Sequence, residues 1–209
     1  MEQRTNKINE KKSKKGRQVI LLGLLWLFYL AVLFFLSKIY LADTYFKKSQ
    51  ALLNIGDEKN AFSYVNKAIS LNPYEPNYYR GRAKVNTIRL VAVASEEDVK
   101  KDILFDLQKA YSLNPTNLVT IRNSIPLYYF IAVRDLSVGP GASNVDEKYI
   151  DYTKEFFRAA KRNYWNDVGV ISSLAKYEKK LGLKIEYEES LERIEFLRPD
   201  LPEWNESFR

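Results

Sequence analysis

The chain has 209 residues, 46% apolar and 28% charged, with no cysteine, no histidine and Met1 as its only methionine. Disulfides, thiol nucleophiles, Cys/His zinc sites and every Ser-His-Asp or Cys-His mechanism are thereby excluded, which leaves carboxylates, Lys, Tyr and Ser/Thr for any chemistry. The formal charge of +7 sits mostly in residues 1–17, with seven Lys/Arg against two Glu, whereas residues 42–209 carry 25 against 24; the basicity belongs to a tail and is not a field spread over a domain.

Residues 18–37 contain no charge, and 19–36 read VILLGLLWLFYLAVLFFL, apolar on every face. Twenty helical residues reach about 30 Å, the thickness of a bilayer's hydrocarbon core, so a transmembrane helix is expected over 18–41. Trp26 and Tyr29 lie inside the run, and Tyr40 and Tyr45 follow it, near the far interface. A cleaved signal peptide would have a shorter apolar stretch and a small residue where Tyr40-Leu41-Ala42 places a tyrosine. A buried core helix suits neither the length nor the basic cluster beside it. Arg4, Lys7, Lys11, Lys12, Lys14, Lys15 and Arg17 precede the run, and only Lys38, Lys47 and Lys48 closely follow it. Positive flanks stay cytoplasmic, which predicts tail 1–17 inside and residues from about 42 onward outside. Setting this topology is the tail's simplest role; binding of lipid headgroups or of nucleic acid through it is the alternative.

From Ala42 the pattern turns helical and repeats. Gly56, Ala61, Val65, Ala68 and Pro73 have the same spacing as Gly182, Tyr187, Leu191, Ile194 and Pro199. Ile103, Leu107, Ala110, Leu113 and Pro115 repeat the ending, and Tyr152, Phe156 and Ala159 form a weaker copy with Tyr164 in the proline's place. Fixed internal gaps that recur mark a structural repeat. In 42–75, Tyr45, Ser49 and Leu52 line one helical face, Gly56-Asp57 turns the chain, and Ala61, Val65 and Ala68 form the inward stripe of a second helix that Asn72-Pro73 stops. Such an αα-hairpin cannot bury its stripe alone, so neighbours must stack on it. The fold class is therefore all-α: one transmembrane helix, then a solenoid of three to four hairpins at about 42–75, 76–115, 116–165 and 168–201, with a tail 202–209 that includes Trp204 and could cap the stack.

These residues resemble the tetratricopeptide repeat: Tyr45, Ser49, Gly56-Asp57, Ala61, Ala68 and Asn72-Pro73 in 42–75, then Ile171, Leu174-Ala175, Gly182 and Arg198-Pro199 in the last unit. There are departures. Pro73 to Pro115 spans 42 residues, eight more than the usual 34 of the repeat, and the excess is expected near 88–98 as a longer first helix and a loop in which Ser95 caps the next helix ahead of Glu96-Glu97-Asp98. Pro126 should kink or restart its helix. Residues 136–146, with Gly139-Pro140-Gly141, read as a flexible loop.

No catalytic constellation emerges, and neither cofactor nor metal is expected. The clusters Glu96-Glu97-Asp98 and Glu186, Glu188-Glu189 lack the spacing of a calcium loop. Thirteen tyrosines follow residue 42, among them the pairs Tyr78-Tyr79 and Tyr128-Tyr129; they serve either packing between units or a ligand groove. The resemblance implies that partners bind the concave surface lined by first helices. In register, the groove candidates are Phe46, Gln50, Leu53 and Asn54 in the first unit and Asn77, Arg80, Lys84 and Thr87 in the second. Arg80 and Lys84, four apart, share a face and suit an acidic partner or a terminal carboxylate, although the full carboxylate-binding set of the family is not present, and a solvated surface is the simpler explanation of them.

The leading expectation is thus a non-catalytic, membrane-anchored scaffold that binds protein partners outside the cytoplasm, with no nucleic-acid partner. A span running into Ala42-Asp43, followed by Leu71-Asn72-Pro73-Tyr74-Glu75-Pro76, also resembles the C-terminal region of bacterial O-antigen ligase and polymerase-like membrane proteins. That resemblance implies a bacterial cell membrane and an accessory role in cell-surface polysaccharide assembly, without the many spans that carry glycosyl transfer there. An enzyme built on carboxylates and Tyr is the remaining class.

Overall fold

The structure, a computed structural model, describes residues 2–90 and 96–200, with side chains from 20 to 90 and from 97 to 200. The side chains of the basic tail, the Ser95 cap, the Glu96 carboxyl and the C-terminal segment 202–209 with Trp204 lie outside the described residues. Among the described residues, eight α-helices run in chain order: α1 Glu2–Asn54, α2 Glu58–Leu71, α3 Pro76–Leu90, α4 Glu96–Leu113, α5 Leu118–Ala132, α6 Ile150–Tyr164, α7 Val168–Leu181 and α8 Lys184–Leu197. A 3-10 turn at Ala142–Asn144 and one isolated bridge between Val133 and Val145 are the other ordered elements among the described residues. The fold is all-α.

Helices pack as sequential pairs, α1 with α2, α3 with α4, α5 with α6 and α7 with α8, and each pair leans on the next. Polar residues punctuate them. The side chains of Asp57, Asn117 and Asp167 each accept the backbone N–H three residues on, starting α2, α5 and α7. Gly56 (φ +79°) and Gly182 (φ +71°) adopt the left-handed conformation that ends α1 and α7. In the first pair Ala61, Val65 and Ala68 are fully buried against α1, where the buried Ser49 hydroxyl donates to the Ala61 carbonyl at 2.7 Å. Alanine keeps the two backbones close, and the hydroxyl supplies a bond that no apolar residue could.

Helix α1 passes residues 41 and 42 without a break. Its Ile20–Asn54 stretch has an apolar window long enough to cross a membrane, and none of that window is buried. Beyond it, the larger core runs from α3 to α8 around Ile103, Ile121, Ile125, Ile131, Leu174 and Ile194, with Tyr128 stacked on Phe156 at 4.1 Å between centroids.

Four residues of the added length of the second pair lie in α4, 18 residues against 14 in α2, and 91–95, where the longer loop is expected, lie outside the described residues. Two expectations are corrected. Pro126 sits inside a continuous α5; its ring frees only the Arg122 carbonyl, which packing of the helix outweighs. Residues 133–146 form a fastened loop. Asn144 accepts the Asp135 N–H at 2.9 Å and donates to the Asp135 carbonyl at 2.8 Å, and the buried Lys100 ammonium donates to the Val133 carbonyl (2.7 Å) and pairs with Asp146 (2.9 Å). Glycine-proline content signals a turn but cannot reveal a clamp brought from α4.

A candidate partner groove on α3 and α5

Helices α3 and α5 enclose an open hollow of about 590 Å³ lined by Arg80, Lys84, Thr87 and Ile88 of α3 and by Asn123, Pro126, Leu127 and Phe130 of α5, with Glu58 at the start of α2. The wall is mostly apolar and carries cations on one side. Arg80 is half-buried; its Nη2 donates to Asn77 Oδ1 at 3.2 Å, while its Nε is buried without a hydrogen-bond partner. Burial lowers its pKa below the ordinary guanidinium value, opposed by the nearby Glu75. The nearby Gln50 Nε2 is likewise buried without a hydrogen-bond partner. A buried unsatisfied donor costs about 1–3 kcal/mol; of these two residues only Arg80 lines the hollow.

Of the residues singled out by register, Arg80, Lys84 and Thr87 line the hollow. Thr87 turns its hydroxyl back to the Ala83 carbonyl (2.9 Å) and offers its methyl. Asn77 lies at the start of α3, holding Glu75 with its backbone and side-chain N–H groups (3.1 and 2.7 Å) and buttressing Arg80. Phe46 and Gln50 are half-buried where α1 meets α3: a Cβ on Gly81 would fall 2.4 Å from the Phe46 ring, which also lies 5.0 Å from the Tyr78 ring. Phe46 is thus a packing residue seated on a glycine. Leu53 is buried with Ala61 and Val85 and takes no part in the hollow, whereas Asn54 is exposed at the end of α1.

The tyrosine pairs resolve mainly as packing. Tyr78, Tyr79 and Tyr128 are 1%, 6% and 3% exposed, and only Tyr129 stays half-exposed, 5.0 Å from the Tyr177 ring with the Lys180 ammonium 5.6 Å from both rings. The α5 wall is not legible from the same register: the offsets of the second unit, counted from the start of α5, give Val119, Arg122, Pro126 and Tyr129, of which only Pro126 lines the hollow. One member of the second acidic cluster, Glu189, is engaged in an ion pair with the buried Lys161 (3.0 Å), which also meets Glu178 (3.1 Å) and the Glu186 carbonyl (2.7 Å), and among the described residues no group of three His, Cys, Asp or Glu could hold a metal ion.

Stacked αα-hairpins with a hollow between successive first helices define a helical-repeat solenoid of the kind that presents a surface to other proteins. Residues 42–75 match the tetratricopeptide repeat, so the chain carries that repeat within a tetratricopeptide-like solenoid. No curated protein matches the chain. Among solved structures, one described as the crystal structure of MamA protein is similar at 14% identity and a TM-score of 0.52, covering 78% of this chain and 76% of that one. Another, described as the crystal structure of MamA, is similar at 16% identity and a TM-score of 0.50, covering 74% and 78%. At such identities the likeness is one of fold.

Proposed function

We propose that the chain is a single-pass membrane protein whose helical-repeat domain binds a protein segment in the hollow between α3 and α5, without catalysis of its own. The observation that carries this reading is the hollow itself: apolar walls from Ile88, Leu127 and Phe130 beside Arg80 and Lys84. Ligand sites combine apolar lining with a few polar groups in this way, and the cations favour a partner with acidic side chains or a free carboxylate. The uncharged stretch 18–37 and the one-sided basic flank support an anchor with the tail in the cytoplasm and the repeats outside.

A photo-reactive side chain in place of Lys84 is expected to yield partner adducts in living cells, lost on Arg80→Glu. Adducts from a probe at the exposed Phe105 of α4 and none at position 84 would move the site to the outer face. Topology has its own test, because the chain has no cysteine: a cysteine replacing the exposed Ile185 should react with an impermeant maleimide in intact spheroplasts, and reaction only after lysis would place the domain inside.

A further inference from the structure

Helices α1 and α2 are antiparallel in a fixed register. The Ser49 hydroxyl meets the Ala61 carbonyl, the Tyr45 ring lies 5.8 Å from the Tyr64 ring, and Ala42 shares a buried cluster with Ala68. Each step of three or four residues down α1 is matched by one of three or four up α2. Continued from Ala42 and Ala68, this register sets Leu71 beside Ile39 and the turn 72–75 beside residues 36–38. Burial agrees, for residues 20–37 are exposed throughout whereas Lys38 and Ile39 are partly covered. The turn is pinned there: the Tyr78 hydroxyl donates to the Asp43 carboxylate, and Tyr78 packs on Ala42 and Ala68.

The apolar surface of α1 ends at this same level. The uncharged run closes at Ser37, about 30 Å of helix from its start, and α1 continues into the first hairpin without a break. Large side chains are exposed at that height, Tyr40 at 75%, Tyr74 at 76% and Leu41 at 41%. Tyrosines concentrate at membrane–water interfaces because the ring prefers the acyl boundary and the hydroxyl prefers the headgroups. Resting on the anchor reading above, we infer that the α2–α3 turn with Tyr74, together with Tyr40 and Leu41, is a membrane-seating collar whose partner is the headgroup zone of the bilayer that α1 crosses. The repeat domain then sits on the bilayer and not on a stalk. Because α3 starts at Pro76, Arg80 and Lys84 lie roughly one and two helical turns above that surface, and the hollow receives partners close to the membrane.

The chain's lack of cysteine allows the collar to be tested in the full-length protein. Tyr40→Cys, Tyr74→Cys and Ile55→Cys, each carrying an environment-sensitive fluorophore, are reconstituted into phosphatidylcholine–phosphatidylglycerol vesicles. Ile55 lies about 28 Å beyond Leu36 along α1 and serves as the aqueous control. Labels at 40 and 74 should emit to the blue, be quenched by shallow lipid-borne nitroxides and show several-fold weaker iodide quenching than the label at 55. A four-residue Gly/Ser spacer between Ser37 and Lys38 should bring the label at 74 to the iodide accessibility of 55 while the protein still floats with vesicles. A label at 74 as accessible as that at 55 without the spacer, or equally protected with it, overturns the collar and leaves the anchor standing. Failure to float after carbonate washing overturns the anchor and the collar together.

Discussion

The α1–α2 hairpin and the α5–α8 half of the domain reach helical packing by different means. In the hairpin, contact is made by Ala42, Ala61, Val65, Ala68 and Ser49, and the buried apolar clusters there are small. In the other half, isoleucines, leucines and stacked rings fill one large core, and the buried Lys161 ties α6 to Glu178 of α7 and Glu189 of α8. Close backbones admit only small side chains, so the first hairpin must repeat a recognisable spacing. A wide core can be filled by many combinations of large side chains, so the later hairpins fold alike while their motif fades. Solenoid stability sums local and nearest-neighbour contributions, which makes the two regions separately breakable.

The largest effect is expected from Lys161→Met. It strands the Glu178 carboxylate, 1% exposed, and removing one partner of a buried pair costs about 3–5 kcal/mol. Thermal unfolding of the full chain in detergent should shift strongly downward, with hydrogen-exchange protection lost in α6–α8 and retained in α1–α2. Lys161→Met/Glu178→Leu should restore much of the loss. Uniform loss along the chain would show the two regions to be one cooperative unit. Ala68→Leu should come next, because overpacking a tight site costs about 1–3 kcal/mol, and Ala68 is fully buried between helices. Its signature is lost protection confined to α1–α3.

The smallest effect concerns pH. Burial holds the Glu178 carboxyl above its ordinary 4.5, more than Lys161 and Ser190 pull it down. A raised folded-state pKa contributes stability below the unfolded value that is lost as pH rises through the folded one. The stability of the wild type relative to the permanently neutral Glu178→Gln should therefore fall as pH climbs from 4.5 toward neutrality. Parallel pH profiles would mean that Lys161 fully offsets the burial.

Legibility followed the same division. Gly56, Ala61, Ala68 and Pro73 could be read because each answers a local demand: a left-handed turn, a close helix approach, a stop. Arg80, Lys84 and Thr87 were reached by helical register alone. Leu53 was misplaced because a residue at the rim of a stripe is claimed by the core whenever a neighbour such as Val85 covers it. The Lys161–Glu178–Ser190 clasp and the Lys100–Asp146 pair left no trace in the spacing, since their partners are 12 to 46 residues apart and are joined only by the fold.

Hydrogen exchange of the full-length protein in lipid nanodiscs, read residue by residue across 18–54, tests most directly whether one unbroken helix carries the repeats on the membrane. Strong protection through 18–37 that continues without interruption through 38–48 is expected. Fast exchange at 38–44, or equal exchange of 18–37 with and without lipid, would contradict it.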